Sequence, residues 1–151
     1  MTLIATRRLA IGVSALAALA WVSVAHAAPV SFTVNLSGAD EVPAVSTPAT
    51  ATAEVTFDPA TRVVTWSLSF KDLSSAATMA HFHGPAAPGA NGPVTIWLSK
   101  QGGAVDNPIR GEATLSAAQA EQFVAGQWYV NIHSKDHPAG EIRGQVKPPK
   151  S

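Results

Sequence analysis

Residues 50–70 read TATAEVTFDPATRVVTWSLSF. Thr50 to Phe57 alternates apolar and polar residues, and Arg62 to Phe70 does so again with Val64, Trp66, Leu68 and Phe70 on one face. Alternation with a period of two marks a strand with one buried side. Between the two runs, Asp58-Pro59-Ala60-Thr61 supplies turn chemistry, because proline presets φ at the second turn position. The stretch predicts a β-hairpin.

The same reading extends in both directions. Val30 to Leu36 alternates, with Phe32, Val34 and Leu36 in phase. Met79 to His83 is a short strand closed by Gly84-Pro85, and Pro93 to Leu98 has Val94, Ile96 and Leu98 in phase. Gln127 to His133 and Glu141 to Val146 follow, ahead of a short polar, proline-bearing tail from about Lys147. One segment breaks the pattern. Ser116-Ala117-Ala118-Gln119 has the spacing of a capping box, Ala117 to Ala125 is rich in helix formers, and Gly126 is a helix stop. The expectation is an all-β protein, an antiparallel, Greek-key-like β-sandwich of about seven or eight strands with one short helix in a connection.

The first 27 residues read as a secretory signal. Arg7 and Arg8 form a charged start, Leu9 to Ala25 is apolar, and Ala25-His26-Ala27 has the small-x-small cleavage pattern. The apolar run approaches the roughly 17 residues of a spanning helix, so an uncleaved anchor is the competing reading. Thr6-Arg7-Arg8-Leu9 also resembles, weakly, a twin-arginine signal. Cleavage leaves a single domain over residues 28–151, enough for its own core. The expected location is periplasmic or secreted, with no membrane attachment after cleavage. Of ten basic side chains, eight then face ten acidic ones, and no basic stripe exists, which argues against nucleic acid as a partner. With no cysteine, the chain has no disulfides, thiolate ligands or cysteine nucleophiles.

Beyond the leader's His26, every histidine falls into His81-Phe82-His83 or His133-Ser134-Lys135-Asp136-His137. On a strand, residues i and i+2 leave the same face roughly 6.5–7 Å apart, so His81 and His83 can converge on one ion. Phe82 then points to the core. Val130 and Ile132 likewise point inward, sending Asn131 and His133 outward. Met79 shares parity with His81 and His83, and its thioether would tilt an imidazole site toward copper(I). Its bland alternative is gap-filling at a core edge. The candidate ligands are His81, His83 and His133, with His137 and Met79 as additional ones. Asp136 is a candidate acceptor for fixing an imidazole tautomer. The bland alternative for the histidines is a set of satisfied surface side chains.

Three motifs carry a resemblance. Ala80-His81-Phe82-His83-Gly84-Pro85, Asn131-Ile132-His133 and Gly140-Glu141-Ile142-Arg143-Gly144, with the opening Leu36-Ser37-Gly38-Ala39-Asp40-Glu41-Val42-Pro43, resemble the CHRD family over about residues 30–146. The resemblance implies an all-β sandwich in exported proteins. More distantly, His81, His83, His133 and Arg143 are similar in role and order to copper-zinc superoxide dismutases. The disulfide and zinc loop of those enzymes have no counterpart here. That likeness makes Arg143 a candidate anion guide; the competing reading is a surface ion pair with Glu141 or Asp136. Asn131 and Glu141 complete the candidate surroundings of the ion.

Other chemistry finds no footing. No Gly-x-Ser-x-Gly elbow is present, carboxylates are scattered, and the 84–93 loop has too many prolines for a phosphate cradle. That loop is expected to shape the rim of the histidine site. The leading expectation is an exported copper-binding protein, with zinc as second choice, exchanging the ion with a periplasmic donor or acceptor protein. A copper-only superoxide dismutase-like enzyme and a non-catalytic adhesion module are the alternatives.

Overall fold

The computed structural model describes residues 27–149. The segment read above as a secretory signal, apart from Ala27, and the last two residues lie outside the described residues. In chain order the elements are β1 Val30–Ser37, β2 Thr50–Asp58, β3 Val63–Lys71, β4 Ala77–His83, β5 Val94–Trp97, β6 Ile109–Thr114, α1 Ala117–Val124, β7 Tyr129–Ser134 and β8 Ile142–Gln145. All strand pairs are antiparallel, in the order β5-β4-β7-β8-β1-β2-β3-β6.

This sheet folds over on itself. Trp66 of β3 and Phe82 of β4 stand far apart in the strand order, yet their rings meet edge-on at 5.7 Å. The two halves therefore enclose one core, the sandwich expected from the alternation. The 50–70 hairpin pairs Val55 with Trp66 and Phe57 with Val64, all core-side. Its turn is one residue longer than expected: Arg62 belongs to it, with φ +58°. The Asp58 carboxylate accepts from Ala60 N and Thr61 Oγ1, closing the turn locally.

Strand β6 had no expectation attached to it, for a packing reason. Its inward positions are Ile109, Gly111 and Ala113, and the last two are too small to write a strong apolar alternation. The volume over them is filled from the neighbouring strand. A Cβ on Gly111 would meet the Trp66 ring at 2.6 Å, so the indole of β3 occupies that space.

Helix α1 closes one end of the core. Ser116 Oγ accepts from Gln119 N while the Gln119 side chain accepts from Ser116 N, a complete capping box. Gly126 ends it with φ +72°. Phe123 packs inward against the rings of Phe32, Phe57, Phe82 and Trp128. Ser116→Ala should lower stability by about 1 kcal/mol in urea denaturation. An unchanged midpoint would show the cap to be dispensable. Among the described residues no helix is long and apolar enough to cross a membrane.

Candidate metal centre

Strands β5, β4, β7 and β8 align side chains in rows. One row runs Trp97, His81, Asn131, Arg143; beside it His83 stands opposite Tyr129, and on the other side Met79 stands opposite His133. Directly opposed residues leave the same face. Phe82, Val130, Ile132 and Ile142 leave the other face and are fully buried in the core. The parity expected for His81, His83 and His133 is the one observed.

The face itself differs from expectation. Instead of opening outward to solvent, it is covered, and all six residues of β7 are buried. His81, His83 and His133 expose only 2 %, 8 % and 7 % of their surface. Part of the cover is the 84–93 loop. Gly92 O accepts from His83, Ala90 O and Asn91 Oδ1 accept from Arg143, and Asn91 Nδ2 reaches Val42 O in the segment after β1.

Nitrogen atoms of His81, His83 and His133 lie within 4.8 Å of one another. Carbonyls can only accept, and this fixes two tautomers. His83 Nδ1–H donates to Gly92 O at 3.0 Å and His133 Nδ1–H to Pro138 O at 2.9 Å, so the Nε2 atom of each carries a lone pair. His133 Nε2 stands 3.2 Å from His81 Nδ1 and 3.1 Å from Asn131 Oδ1. The Nε2 atoms of His81 and His83 are buried with no hydrogen-bond partner. Orphaned acceptors are expensive in a core, and a cation is one partner that such a group of nitrogens could hold.

Electrostatics keeps the cluster uncharged. Burial, with the neighbouring His133 and His83, pushes His81 down to about 4. Burial also lowers His83 and His133, against the hydrogen bonds to Gly92 and Pro138 that raise them. At neutral pH the imidazoles are therefore free bases, the form that ligates.

The remaining candidates are distributed differently. His137 is half-buried in the turn after β7, where its backbone bonds Ser134, and it is outside the three-histidine group. Met79 is half-buried, on the same face and opposite His133. Asp136 is exposed, and its backbone N–H donates to Ser75; the tautomer-fixing role considered for it falls to the carbonyls of Gly92 and Pro138. The surface pair of Arg143 with Glu141 or Asp136 is replaced by a buried one, Arg143 to Glu41 at 3.2 Å. Glu141 instead accepts from Thr47 Oγ1, Ser74 N and Ser74 Oγ, tying three loops together. Burial raises its carboxyl, but bonds from Ser134, Ser74 and Thr47 outweigh that and leave it lowered.

Two residues of this neighbourhood carried no role in the sequence reading. Tyr129 stacks on His83 with ring centroids 4.7 Å apart and takes the Arg143 guanidinium on its ring at 3.9 Å. It shares parity with Asn131 and His133, so the alternation on β7 carried a signal for it. Glu41 had none, since nothing in local spacing joins it to Arg143.

Residues 32–146 match the CHRD domain family model, which covers most of the chain, and the chain belongs to the CHRD family. No curated protein and no solved structure matches the chain.

Proposed function

As a CHRD domain with three buried, uncharged imidazoles converging, the chain is, we propose, an extracellular or periplasmic metal-binding module that holds copper through His81, His83 and His133. The observation that carries this reading is the pair of orphaned Nε2 atoms within that group. Nitrogen ligands about 2.0–2.1 Å from a tetrahedral ion lie roughly 3.3 Å apart. Ligand nitrogens of the three histidines already lie within 4.8 Å of one another, and small ring rotations would close them to that spacing. Three imidazoles admit copper or zinc, and the thioether of Met79 on the same face favours copper(I). The leader-like residues 1–27 support export before the ion is met.

Holding the ion is favoured over turning over an anion. Arg143, the residue an anion-guiding enzyme would display, is buried against Glu41, and both its terminal nitrogens are engaged. Elemental analysis of the purified protein, with copper(I), copper(II) and zinc titrations, tests the reading. Stoichiometric binding tighter than micromolar is expected, and failure of all three ions to reach it would refute the proposal.

The metal-free protein should also lose stability in mild acid. Native His81 titrates near 4, with His83 and His133 also lowered, whereas unfolded histidines titrate near 6.5. Between those values the unfolded chain binds more protons, so this stabilisation is full above 6.5 and lost as pH falls toward 4. Denaturant midpoints measured across that window check it; a flat profile would show that the imidazoles are not held neutral.

A further inference from the structure

The geometry points to Trp97 as the port of the metal site: its indole closes the exposed end of the ligand row, and the ion passes when that side chain swings off His81. This inference rests on the metal-binding reading above and adds the route to it. The row Trp97–His81–Asn131–Arg143 ends on β8 in a buried arginine under the 84–93 loop. Its other end lies on β5, the edge strand, beyond which no strand pairs. Trp97 is 39 % exposed, whereas the other three residues of the row are buried. Its ring meets the His81 ring edge-on at 4.2 Å, and His81 Nε2 is sealed from solvent.

An ion therefore reaches the cluster only after something moves. Lifting the 84–93 loop would break bonds from Arg143, His83 and Gln145, and the one that Gly92 N–H donates to the Tyr129 hydroxyl. Rotating one half-exposed side chain on an edge strand breaks none that the structure records for Trp97, and exposed rotamers exchange on a ps–ns timescale. The indole is the cheaper gate.

Stopped-flow transfer of zinc, and separately of copper(I), between the protein and an excess of chelator tests this. Trp97→Ala should speed both loading and release by about tenfold or more, with Kd held within about threefold, as expected when a gate and not a ligand is removed. Trp97→Phe, which keeps a ring and guards against a folding defect, should fall between. Asn91→Ala loosens the loop and should leave the rates near those of the unmodified protein. Acceleration by Asn91→Ala without acceleration by Trp97→Ala, or Kd weakening in step with release, would overturn the port. If the unmodified protein takes up neither ion, the metal reading itself fails and the port with it.

Discussion

A His81→Ala/His83→Ala protein should bind copper at least about 1,000-fold more weakly than the unmodified chain, since loss of groups that merely orient ligands already costs 10–100-fold. Two of three ligands vanish, and His133 alone cannot enclose an ion. The same change should leave the metal-free fold intact. Both histidines leave β4 on the face opposite Phe82, so the core contacts of Phe82, Val130 and Ile132 are untouched. Removing two desolvated imidazoles should also flatten the acid-side loss of stability, because the groups that the unfolded chain protonates preferentially are gone. Thermal unfolding with and without copper separates the outcomes. The unmodified protein should gain about 2.7 kcal/mol at a hundredfold excess of free ion over Kd, and the double variant essentially none. Equal stabilisation of both would mean that copper binds elsewhere, and the three-histidine site would be abandoned.

How much of this was legible beforehand depends on range. Strand parity is a local property, so His81, His83, His133 and their core-side neighbours could be placed from alternation alone. The capping box at Ser116 was legible for the same reason, since its two bonds join residues three apart. Burial of the histidine face was not legible. It arises from the 84–93 loop and the segment after β1, which contact that face through single carbonyls and side chains with no periodic signature. β6 escaped notice because its apolar volume is supplied by Trp66 on another strand. The partner of Arg143 was misjudged for a related reason. Glu141 and Asp136 are near in sequence, whereas Glu41 is brought alongside only by the pairing of β8 with β1.

That buried pair yields the largest expected loss of stability. Arg143→Met should destabilise the protein by about 3–5 kcal/mol at neutral pH, the usual result of leaving one member of a buried ion pair unpaired. Glu41 is almost fully buried, and its Oε1 has no hydrogen-bond partner even with the arginine present. Desolvation already raises its carboxyl above the ordinary value, against the attraction of Arg143 that lowers it. Removing the guanidinium leaves desolvation opposed only by weaker contacts, so the carboxyl rises further. A folded value above the unfolded one means that the native state takes up the proton first, so the deficit relative to the unmodified protein should shrink as pH falls through that raised value. The double variant Glu41→Gln/Arg143→Met removes the charge and should recover much of the loss without acid. Three contacts besides the ion pair go with Arg143: those to Ala90 O, Asn91 Oδ1 and the Tyr129 ring. Recovery should therefore be incomplete, and the remainder measures the arginine's hold on the loop over His83. A deficit insensitive to both pH and Glu41→Gln would assign the whole effect to that loop and none to the buried charge.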